Sequence, residues 1–179
     1  EIPKRDWSSD VCSSDLRFKR RTTWLLAIIA APLVYLLLFH GPIPQSKGYH
    51  LFADTRTCLG IVNFGNVASN LAFLLVGGCG CAWCYRNLKN DARLSWMTFF
   101  AGVTLVFFGS AYYHYQPNDD TLVWDRLPMT LAFMGLFTAL LIENLGEHPV
   151  TRLERPVLIP TLVLGIASVL WWRHTNEIG

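Results

Sequence analysis

The chain reads as an all-α, polytopic helical membrane protein, and three observations predict this. Of its 179 residues 52% are hydrophobic and only 16% charged, with a mean hydropathy of +0.31, whereas an ordinary soluble domain carries about a quarter of charged residues. The charges fall between apolar runs long enough to cross a bilayer, not within them. Lys and Arg crowd into alternate connectors. Five spanning helices are expected, at about 22–40, 61–85, 95–114, 121–143 and 156–173, as the visible part of a larger bundle of about seven or more. The net charge of +2 therefore reports topology, and no nucleic-acid partner is expected.

Residues 1–16 stand apart. Asp6-Trp-Ser-Ser-Asp-Val-Cys-Ser-Ser-Asp15 resembles the in-frame translation of a common sequencing adapter and has no apolar period, so these residues are set outside the fold as a non-native tail. The single transmembrane domain then covers 17–179, and the abrupt Glu177-Ile-Gly179 leads us to expect truncation at the C-terminus.

The first span opens after the basic cluster Arg17-Phe-Lys-Arg-Arg21, runs through the uncharged stretch Trp24 to Phe39, and ends at Gly41-Pro-Ile-Pro44. A polar connector, Gln45 to Gly60, holds His50, Asp54 and Arg56. The second span carries Asn63, Asn66 and Asn70 at i, i+3, i+7, with Ser69 beside them. On a helix these form one amide stripe, which lipid would strip of hydrogen bonds. The stripe is therefore expected to line a cavity or to bond across helices. Cys79-Gly-Cys-Ala-Trp-Cys84 lies inside the same apolar run, where small polarizable residues pack between helices.

The third span ends in Phe108-Gly-Ser-Ala-Tyr-Tyr-His114, the turn is Gln116-Pro-Asn-Asp-Asp120, and the fourth span carries Asp125 and Pro128. Proline cannot continue the helix, and Asn118, Asp119 or Asp120 can cap the next one. Ser110 and His114 share a helix face one turn apart. Counted from Asp119, His114 and Asp125 both fall roughly 8 Å below the hairpin tip, at equal depth. Ionisable groups there call for partners and mark a functional site.

Charge placement sets the orientation. Arg17, Lys19, Arg20 and Arg21, then Arg86, Lys89 and Arg93, then Arg152 and Arg155 occupy alternate connectors, which predicts a cytoplasmic N-terminus. The Asn stripe, Ser110, His114 and Asp125 then fall in the outer half of the bilayer. From the residues alone three uses remain open: a nucleophilic Ser-His-Asp triad, a metal-ligating histidine with a carboxylate partner, or a polar cluster clamping helices.

Phe108-Gly-Ser-Ala-Tyr-Tyr-His114, Asp125 eleven residues later and the upstream Asn66-Val-Ala-Ser-Asn70 resemble the alkaline ceramidase family, of the superfamily that also contains the adiponectin-type receptors. The resemblance implies a zinc-dependent intramembrane hydrolase of lipid amide bonds, in which zinc-bound water attacks the carbonyl. It places zinc on His114, support of the water or oxyanion on Ser110, and proton handling or oxyanion stabilisation on Asp125. Ceramide or another N-acyl lipid is the implied partner, and a non-enzymatic lipid-binding receptor or scaffold of the same superfamily is the alternative. The family's two further zinc histidines, in His-x3-His, have no counterpart here and are expected beyond Gly179, so the chain as it stands is not expected to be active. The family's calcium site retains Asp54 as a remnant, but Asn63 stands where an acidic residue is expected, which counts against Ca2+.

Overall fold

The computed structural model describes residues 46–89, 91–144 and 153–175, with 43–44, 177–178 and scattered positions between 20 and 39. The tail at 1–16 and the expected span at 22–40 lie outside the described stretches. Among the described residues the protein is all-helical apart from the two-residue strands Ile43–Pro44 and Glu177–Ile178. A 3₁₀ turn at Lys47–His50 precedes α1 (Phe64–Ser69), α2 (Leu71–Asn87), α3 (Arg93–Tyr115), α4 (Asp119–Asn144) and α5 (Glu154–Thr175). Four helical stretches are long and apolar enough to cross a membrane, namely Phe64–Asn87 and the three helices after it. The protein is thus a multi-pass helical membrane protein, and each long helix packs chiefly on the next in sequence.

Two carboxylates cap helices to which they do not belong. The first N–H groups of a helix have no intrahelical acceptor, and Ala92, at the N-cap of α3, offers no side-chain oxygen. Glu154 supplies it from the start of α5, its Oε1 accepting from Ser95 N at 2.7 Å and Ser95 Oγ at 2.9 Å. The negative charge also suits the positive end of the helix dipole. Nearby, Glu143 accepts from Trp96 Nε1 at 2.8 Å, so this end of the bundle is tied across three helices.

The second expected span is one crossing broken into two helices. Asn70 Nδ2 and Ser69 Oγ both donate to the Asn66 carbonyl, at 2.8 and 2.9 Å, and such side chains compete with the backbone for its acceptors. The helix accordingly stops at Ser69 and restarts at Leu71.

Small residues set the register of α3 against α4. A Cβ at Gly102 would lie 2.8 Å from Ala132 Cα, and one at Gly135 would lie 2.6 Å from Phe99 N. At Gly109 the Trp124 carbonyl fills the space a side chain would need, its carbon 2.7 Å from the ideal Cβ position. That carbonyl is the one Pro128, with no N–H, cannot bond within α4. The hairpin turn pairs Asn118 Oδ1 with Thr121 N at 2.9 Å, and Asn118 O with Leu122 N at 3.0 Å. Of the three residues expected to cap, Asn118 therefore does so.

This register corrects the expectation of equal depth. α3 ends at Tyr115 and α4 begins at Asp119, so the hairpin turns about Pro117 and not about Asp119. Asp125 lies level with Gly109 and Ser110, while His114 sits about one helical turn nearer the tip.

Candidate functional site

The offset is recovered by the direction of the side chains. On a helix each Cα–Cβ bond tilts toward the N-terminus, so His114 leans back toward Ser110 and Asp125 leans toward the tip. Ser110, 6% exposed, lies beside the Asp125 carboxylate, and His114 lies near enough to Asp125 for the two to interact. The structure thus brings together the three residues expected at the hairpin. His114 Nδ1 is buried and has no hydrogen-bond partner among the described residues. A buried, unpaired imidazole nitrogen costs free energy unless something fills its lone pair or takes its proton.

The amide stripe divides. Asn63 lies outside α1 in the left-handed region (φ 51°), a conformation asparagine tolerates better than most residues. From there its Nδ2 donates to the His114 carbonyl at 2.9 Å, one of the unpaired carbonyls in the last turn of α3. Asn63 therefore touches the backbone of His114. Asn66 contributes its carbonyl to Ser69 and Asn70, and Asn70 is buried. Ser69, expected to line a cavity with them, is exposed, and its hydroxyl is spent on the Asn66 carbonyl.

Asp54 replaces the side-chain cap that Asn63 does not give α1. Its Oδ2 accepts from Gly65 N at 2.6 Å and Asn66 N at 3.3 Å, and its Oδ1 from Arg56 Nε at 2.7 Å. The Arg56 bond chiefly, aided by the backbone donors, lowers the Asp54 pKa to about 2. As a calcium remnant Asp54 does not fit. Both oxygens already hold donors, and a fixed guanidinium charge stands where a cation would approach.

The connector carries residues whose part the sequence did not reveal. His50 Nδ1 lies 3.0 Å from the Tyr113 hydroxyl and its Nε2 lies 3.0 Å from Asp119 Oδ1. Phe52 covers the His114 ring at 4.6 Å between centroids, and meets Tyr113 edge-on at 5.6 Å. Arg126, next to Asp125 in sequence, stacks on Trp172 at 3.9 Å and reaches the Tyr49 ring at 5.8 Å. The signal was slight: a histidine and two aromatics within four residues of a polar connector, with no period to place them.

As a zinc site the residues fit in part. Imidazole nitrogen is a zinc donor, and His114 Nδ1 is the buried, unpartnered atom such an ion would take. Among the described residues no three His, Cys, Asp or Glu side chains group to hold a metal, so any further ligands would come from elsewhere. Comparison with known proteins finds no family model, no curated protein and no solved structure that matches this chain.

Proposed function

We propose that the protein is a zinc-dependent intramembrane hydrolase of lipid amide bonds, ceramidase-like, with its site at the tip of the α3–α4 hairpin. The observation that carries this reading is the buried, unpartnered His114 Nδ1 beside the Ser110–Asp125 pair.

His114 would hold the metal, which when bound supplies the Lewis acidity that polarises a carbonyl. Asp125 is the general base. Its carboxylate takes a proton from the attacking water and returns it to the leaving amine. Ser110 donates to that carboxylate while it is charged. Once Asp125 is protonated, the single Ser110 O–H is released and can turn toward the developing oxyanion. Asn63, on the His114 carbonyl, fixes the end of α3 that carries the imidazole.

The substrate is an N-acyl lipid such as ceramide, whose acyl chain lies along the apolar helix faces. The charge pattern of the connectors supports a cytoplasmic N-terminus and a site in the outer half of the bilayer.

The complete gene product, purified in detergent, tests the reading through its metal content and through fatty acid released from a ceramide. Near-stoichiometric zinc, lost in His114→Ala together with release, is the expected result. Zinc retained in that variant removes His114 from the ligand set. Lipid bound without release by the unaltered protein gives the site to a lipid-binding receptor instead.

A further inference from the structure

His50, on the connector, has a partner at each of its two ring nitrogens. Asp119, as a carboxylate, can only accept, so the His50 proton sits on Nε2. In the neutral ring Nδ1 then accepts from the Tyr113 hydroxyl. Tyr113 is 2% exposed, on the turn of α3 that carries His114, while Asp119 opens α4. One imidazole thus links the connector to both arms of the hairpin. Two residues on, Phe52 lies over His114. Beyond it the connector is held by the Asp54 bonds to Gly65 and Asn66 and by Asn63 on the His114 carbonyl.

We infer that His50 is a positioning residue: by clasping Tyr113 and Asp119 it seats the connector so that Phe52 fixes the orientation of the His114 ring. Among the described residues His114 has no hydrogen-bond partner at Nδ1 to orient it. Its orientation is therefore set by what packs on it, and Phe52, at 4.6 Å between centroids, is nearer than Tyr113 at 5.3 Å. The inference deepens the proposed hydrolase, for which His114 is the working imidazole, but its test does not depend on turnover.

Two measurements on the intact chain in micelles decide it. In hydrogen–deuterium exchange of residues 49–66, His50→Ala and Asp119→Ala should each raise exchange about tenfold, the scale expected of a charge-assisted hydrogen bond. The double variant should exchange no faster than either single one, because both changes break one clasp. Additive increases would overturn the clasp. Asp120→Ala, which removes the neighbouring carboxylate paired with Arg173, should leave this exchange unchanged. In NMR spectra of histidine-labelled protein, the His114 ring protons should lose in His50→Ala the part of their ring-current shift that they lose in Phe52→Leu, while the part from Tyr113 stays. Unchanged His114 resonances beside faster exchange would overturn the positioning role. Tyr113→Phe keeps the buried ring, removes one arm of the clasp and gives the same two readouts where an alanine variant does not fold.

Discussion

Gly109 packs directly against the carbonyl of Trp124, and this contact sets Ser110 opposite Asp125. Gly109→Ala would force α3 and α4 apart at the site. Overpacking of this kind costs about 1–3 kcal/mol or more, so a lower thermal midpoint and loss of amide hydrolysis are expected. Gly78→Ala is the matched comparison, since nothing lies within 4 Å of a Cβ there. Its thermal midpoint should equal that of the unaltered protein or slightly exceed it. Equal effects at the two positions would deny the close crossing its role.

Ser110 and Asp125 should behave as one unit in catalysis. Under the proposed mechanism Asp125→Asn removes the base and should lower kcat by about 10²–10⁴-fold, with any bound zinc retained. Ser110→Ala should cost less, and the double variant little more than Asp125→Asn alone. Steady-state release of fatty acid measures all three, and strictly multiplicative losses would separate the two residues.

The connector should loosen in acid. Asp54 has its pKa lowered from 3.8 to about 2 in the folded protein, so its contribution is fully present above about pH 4. It is lost as pH falls toward about 2. Limited proteolysis with an acid-active protease should cut between Asp54 and Asn63 progressively across that window. Asp54→Asn should make the cutting faster already at pH 5 and insensitive to pH over the same range.

At the opposite end of the bundle, Glu154→Ala should destabilise without altering the chemistry. It leaves the Ser95 hydroxyl and amide without their acceptor in a residue that is 0% exposed, a loss of about 1–3 kcal/mol. Thermal unfolding in detergent reads the loss, and an unchanged KM separates it from damage at the site.

The parts of this fold that periodicity and composition govern were legible in the sequence. The spans from 95 to 173 agree with α3, α4 and α5 within a few residues, because Pro117, the polar loops and the lengths of the apolar runs leave little freedom. The grouping of Ser110, His114 and Asp125 was also legible, since helical spacing and one tight turn determine it. Their depths were not, because the register depends on Gly109, Gly102 and Gly135 meeting particular backbone atoms of the opposing helix. The break in the second span was not legible either, because spacing says nothing of Asn70 turning back onto Asn66 O. The parts of Asp54 and His50 were hidden for another reason. Their partners lie 11 and 69 residues away, and no local pattern connects them.

That last separation has a consequence for assembly. Loop closure costs more for distant partners and is slower to occur, whereas the α3–α4 hairpin closes through three residues, Gln116 to Asn118. During synthesis the segment around His50 emerges long before Asp119 exists, so it has no mate until the hairpin is made. Ser110, His114 and Asp125 are brought together before Phe52 covers His114, so a newly inserted chain passes through a stage with an open mouth.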